Sequence, residues 1–95
     1  MKIQITEEAF KWFHEEMDVE ENESVRFFVR YGGSGGLQPG FSLGVTIDEP
    51  HEAAVSVEQA GVTYFIEKTD LWYFDDHDLI VSIQSESEEL SYQYE

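Results

Sequence analysis

A mainly β domain with a small helical part, of the α+β class, is the fold this sequence predicts over residues 1–95 as a single unit. Three observations lead there. Period-two alternation of apolar and polar residues recurs in several short segments, helical spacing occurs in only one long enough to matter, and Gly- or Pro-bearing turns separate them. Ninety-five residues suit one domain, and 41% hydrophobic residues with fourteen aromatics can fill one core. That apolar supply separates the chain from disordered acidic sequences.

The elements follow in order. Lys2 to Ile5 alternates and predicts a short strand or lead-in. Thr6 is a good N-cap, and Glu7 and Glu8 then occupy a first turn where the helix dipole favours negative charge. Phe10, Phe13 and Met17 recur at helical spacing, so an amphipathic helix is expected over 7–17 with these three as its buried stripe. Ile5 and Phe10 have the spacing of a hydrophobic staple across the cap.

Asp18 to Ser24 is an acidic connector without periodicity. In 25–31, Val25, Phe27, Val29 and Tyr31 alternate with Arg26, Phe28 and Arg30, which predicts a strand with the first four on its apolar face. Arg26 and Arg30 are expected to meet carboxylates on a neighbouring strand. Gly32-Gly33-Ser34-Gly35-Gly36 is a poor strand and a poor helix, because glycine gives up the most backbone entropy on ordering. Such a run serves unusual backbone conformations or close approach. A Pro39-Gly40 turn and an alternating strand over 41–47 come next.

Two further strands are expected over 53–58 and 62–67, joined tightly at Gln59-Ala60-Gly61, where glycine supplies positive φ. Thr69 to Phe74 fits a helical turn or two. Leu79, Val81 and Ile83 alternate, as do Leu90, Tyr92 and Tyr94, on either side of an acidic stretch. The sum is a compact barrel or sandwich with a helix on its outside.

Charge narrows the functional classes. Twenty-one acidic residues against five basic ones leave a formal net charge of −16. Nucleic acid is excluded as a partner, because binding it requires a basic footprint. Anionic membrane surfaces are disfavoured likewise. No run of about 20 apolar residues suits a membrane span. With no cysteine for disulfides and no apolar signal core in Met1–Glu7, the expected location is cytoplasmic.

Read in order, the Ile3-Gln4-Ile5-Thr6-Glu7-Glu8-Ala9 opening, the Val25–Tyr31 strand entering a double-glycine loop, Gly61–Glu67 and Leu71-Trp72-Tyr73-Phe74 resemble the HesB-like family. These are the A-type iron–sulfur carrier and scaffold proteins, and the resemblance runs the length of the chain. It implies a HesB-like β barrel or sandwich with an N-terminal amphipathic helix and a short second helix. In that family the glycine loop carries a cysteine, and two more stand near the C-terminus as Cys-Gly-Cys. The resemblance therefore marks Ser34, between Gly33 and Gly35, as the loop's cofactor-binding position, whereas Leu90–Glu95 has no counterpart of the second motif.

The chemical consequence is large. Iron–sulfur clusters are held by soft thiolates that lose their protons near neutral pH, and a serine hydroxyl keeps its proton. The expectation is a branch that kept the fold and lost thiolate cluster binding, with no cofactor implied.

Other patterns are weaker. Gly32-x-Ser34-x-Gly36 spells a nucleophile elbow, but Pro39 and Gly40 resist the helix that must follow one. The loop has no phosphate-binding signature. Asp75-Asp76-His77-Asp78 is the densest candidate metal cluster, its plainer alternative being an acidic surface turn. His14 and His51 lack ligand spacing. Trp12, Trp72, Tyr73, Phe74, Tyr92 and Tyr94 are candidates for an aromatic contact surface. The expected function is a non-catalytic accessory or interaction protein related to iron–sulfur assembly, with a protein partner or a second copy of itself. The alternative is a weak divalent-metal (iron) binding module built from carboxylates and histidine. No residue pair singles out an enzyme.

Overall fold

In the computed structural model, residues 1–33 and 36–95 are described. They form β1 (Ile3–Ile5), α1 (Glu7–Met17), β2 (Ser24–Tyr31), β3 (Phe41–Ile47), β4 (Ala53–Gln59), β5 (Val62–Glu67), a 3-10 helix (Lys68–Phe74), β6 (Leu79–Gln84) and β7 (Glu89–Tyr94). The strands make two separate sheets, in orders β1-β6-β7 and β3-β2-β5-β4. Among the described residues the sheets do not close into a barrel. Of the two expected architectures, paired sheets hold and the closed barrel does not, because β3 and β7 remain open edges.

The helix forms as its caps dictate. Thr6 Oγ1 accepts a hydrogen bond from the Ala9 amide at 3.2 Å, and the Thr6 amide donates to Val81 O at 3.0 Å. Asp18 ends the helix in the left-handed region at φ 53°, and Val19 folds back into the core. Ala9 and Phe13 are the fully buried helical residues, while Phe10 and Met17 pack at the core's edge. Phe13 carries the helix into the interior, its ring 5.3 Å from Tyr64 and 6.2 Å from Phe27.

The β4–β5 hairpin turns through Ala60 at φ 50° and Gly61 at φ 84°, two consecutive positive φ values that match the twist of the strands. The strand expected over 53–58 extends one residue further. β5 is buried on both faces: Val62, Tyr64 and Ile66 face the core, and Phe65 and Glu67 are covered on the other side. Glu67 accepts from the His51 and Glu52 amides, each at 2.7 Å, so a buried carboxylate fastens the Pro50 loop.

β2 runs parallel to β5 only from Ser24 to Arg26, against Thr63 to Phe65, and continues to Tyr31 with β3 alone. Asp70 of the 3-10 helix occupies the edge left behind. Its Oδ1 accepts from the Val29 amide at 3.4 Å, and its Oδ2 accepts from Arg26 Nη2 at 3.0 Å. Arg26 also lies 3.7 Å from Asp48. The expected carboxylate partners of Arg26 thus come from the 3-10 helix and the residue after β3, not from a neighbouring strand. Arg30 pairs with no carboxylate among the described residues.

Because Asp70 is largely buried and serves two donors, Asp70→Ala is expected to cost about 2–3 kcal/mol in urea unfolding. Asp48→Ala, removing a longer and more exposed contact, is expected to cost less than about 1 kcal/mol.

Candidate functional site: the glycine turn and its aromatic flank

The turn between β2 and β3 begins with two glycines in the positive-φ region, Gly32 at 101° and Gly33 at 82°. Ser34 and Gly35, two of the three loop positions singled out by sequence, lie outside the described residues. The turn is stitched at its base, where the Gly32 amide donates to Gly40 O at 2.7 Å. Its far side is held by Tyr73, a buried residue of the 3-10 helix. The Leu37 amide donates to the Tyr73 hydroxyl at 2.7 Å, and Gln38 Nε2 donates to Tyr73 O at 3.3 Å. Gly36 is required there for space: a Cβ would meet Phe41 O and come within 2.5 Å of the Tyr73 hydroxyl.

The Tyr73 hydroxyl also lies 3.3 Å from that of Tyr94, which ties the turn to β7. Between the open edges of β3 and β7 is a polar cavity of about 530 Å³, lined by Arg30, Gly36, Ser42, Tyr92 and Tyr94 among others. Ser42 Oγ is buried and finds no hydrogen-bond partner among the described residues. Burial pushes Tyr92 up to about 12, partly opposed by the Arg30 charge. Burial, and then the hydrogen bond to Tyr73, push Tyr94 higher still. These phenols keep their protons at neutral pH. Protonated hydroxyls are hard, weak donors to iron, and the Glu89 carboxylate is a hard oxygen donor, so this lining, which has no thiolate, does not fit an iron–sulfur cluster.

Asp75, Asp76, His77 and Asp78 form the turn after the 3-10 helix, with Asp75 and Asp76 at φ 46° and 63°. Their side chains are not drawn together. His77 Nδ1 lies 2.9 Å from Phe74 O and 3.0 Å from Asp75 O, so as N–H it donates to the main chain. Asp78 Oδ1 accepts from the Lys2 amide at 2.8 Å. Among the described residues, no group of three or more histidine, aspartate or glutamate side chains is placed to hold a metal ion.

Of the six aromatics expected as a contact surface, Trp72 is 53% exposed, Tyr73 and Phe74 are fully buried, and Trp12, Tyr92 and Tyr94 pack at the core's edge. Alternation places Tyr31 on the apolar face of β2, yet it is 92% exposed because the strand runs beyond the core before reaching it. Tyr31 packs edge-on against Phe41 at 5.8 Å, and Phe41 against Trp72 at 5.2 Å. The signal for Tyr31 was its place just before the double glycine, where a strand ends. The buried anchor Asp70 left no comparable mark, and Tyr73 was marked only as one of the candidate contact aromatics.

The family model for iron–sulphur cluster biosynthesis matches residues 1–91. The chain belongs to this HesB-like family, as a member without cysteine. It is 52% identical over 95 residues to the protein named pyruvate dehydrogenase inhibitor of Bacillus subtilis strain 168, with all of both chains covered. Proteins described as uncharacterized in Staphylococcus saprophyticus and in Staphylococcus aureus strain MRSA252 are 37% and 38% identical, each match covering 97% of both chains. No solved structure matches. No helix among the described residues is long and apolar enough to cross a membrane.

Gly36→Ala is expected to lower stability by about 1–3 kcal/mol in thermal unfolding, since main chain or Tyr73 must move. Gly40→Ala meets open space and bears only the positive-φ cost, about 1 kcal/mol. The tyrosines supply a pH signature. Tyr64, like Tyr92, is raised to about 12 from an ordinary value of 10. Their neutral forms therefore favour the folded state. That stability is complete below pH 10 and is lost as pH rises toward 12, because the unfolded chain releases these protons first. Absorbance titration at high pH should show delayed phenolate formation, and Tyr92→Phe should remove part of the delay.

Proposed function

We propose that this chain is a non-catalytic regulatory protein that acts by docking onto an enzyme, with pyruvate dehydrogenase as its target. The carrying observation is its whole-length likeness, at 52% identity, to a protein named an inhibitor of that enzyme. The chemistry of the chain supports the same reading. A scaffold of the iron–sulphur cluster biosynthesis family here has no thiol, and the cavity beside its glycine turn offers oxygen and nitrogen groups such as Arg30, Ser42, Glu89, Tyr92 and Tyr94. A chain without a thiolate donor has a use for the fold as a shaped surface. Exposed aromatics beside the turn supply that surface, and the strong negative charge speeds encounter with a basic partner.

The test is the overall rate of purified pyruvate dehydrogenase complex, followed by NADH formation, with increasing amounts of this protein. Saturable loss of activity is expected, unchanged by chelators or by added zinc or ferrous ion. A complex that stays fully active at a large excess overturns the proposal. Inhibition that requires a divalent ion and disappears in His77→Ala transfers the function to the Asp75–Asp78 turn.

A further inference from the structure

The exposed large apolar side chains are Met1, Tyr31, Ile47, Leu71 and Trp72. All but Ile47 belong to one continuous strip. Tyr31 touches Phe41 and Phe41 touches Trp72 through ring contacts, and Trp72, Leu71 and Met1 line one cleft of about 580 Å³. A strip of this kind costs solubility unless something covers it, and tryptophan and tyrosine are the residues that dominate binding energy at protein interfaces. These rings are also held in place. Trp72 stacks edge-on against buried Tyr73 at 6.1 Å, and Tyr73 is fixed by the turn it anchors. Little side-chain entropy remains to be lost on docking.

The charge around the strip says what covers it. Asp75 and Asp76 line the same cleft as Leu71 and Trp72, alongside Lys68 and the Met1 amine, within a chain of formal charge −16. A second copy of the chain is a poor occupant, since two bodies of formal charge −16 repel each other. We propose that the strip from Tyr31 through Phe41 and Trp72 to Leu71 and Met1 docks a protein segment bearing apolar side chains flanked by lysine or arginine. The apolar residues lie against Trp72 and Phe41, and a cationic side chain enters the cleft toward Asp75 and Asp76. Only the identity of the partner rests on the inhibitory reading above; the face and its chemistry do not.

Two measurements test the face separately from that reading. The first maps amide shifts of the isotopically labelled protein during titration with a synthetic amphipathic leucine–lysine peptide. Shifts are expected at Tyr31, Phe41, Leu71, Trp72 and Asp76, with affinity reduced about tenfold in Trp72→Ala. Joint Asp75→Asn and Asp76→Asn substitution should weaken binding a few-fold and flatten its salt dependence. Tyr31→Ser, at the most exposed of these positions, provides a second variant that leaves the core untouched. Shifts spread over Glu7, Glu8, Glu15 and Glu16 of α1, wild-type affinity in the variants, or a dimer of the free chain that buries Trp72 would each overturn the face. The second measurement repeats the enzyme assay with the same variants. If the wild type inhibits and Trp72→Ala inhibits equally, the face falls and the inhibitory reading stands. If the wild type does not inhibit but the peptide still maps to the strip, the reading falls and the face stands.

Discussion

One carboxylate, Asp70, takes over an edge that the sheet abandons. β2 and β5 separate after Arg26, leaving strand edge with nothing opposite it. Asp70 accepts from Val29 and from Arg26, and so pins the 3-10 helix across the break. The remaining features of this end of the molecule depend on that attachment. Once the helix is pinned, Tyr73 points inward to hold the glycine turn and Tyr94, and its neighbour Trp72 is left facing water. A buried ionic contact of this sort contributes little net stability on its own but is costly to break, which suits an element that sets register.

β3 and β7 stay apart, and the gap beside the turn becomes a cavity lined by Arg30, Ser42 and tyrosine hydroxyls. Family membership and missing thiols meet at this point. The chain has the HesB-like family's sequence pattern without its thiols, and the cavity beside the turn presents oxygen and nitrogen groups, with burial raising the Tyr92 and Tyr94 phenols further. The polar cavity and the aromatic strip lie on either side of the turn, joined through Tyr73.

Charge gives the surface a direction. A formal charge of −16 favours encounter with basic surfaces over anionic ones. Against that background a strip of exposed aromatics has few compatible partners. The proposed partner, an apolar segment flanked by basic residues, matches both the rings and the carboxylates bordering the cleft.

Much of the fold was legible in the residues. Thr6 and the Phe13 stripe specify α1, period-two alternation specifies the strands, and Ala60-Gly61 specifies the hairpin, because these signals are local and repeat within one element. The absence of cysteine, and with it of any thiolate ligand, was likewise legible without any structure. Only the folded chain decided where Asp70 and Tyr73 point, that Tyr31 overshoots the core, and that His77 and Asp78 bond to main-chain groups. Those outcomes depend on residues such as Arg26 and Asp70, 44 positions apart in the chain, and no local pattern encodes a contact across that distance.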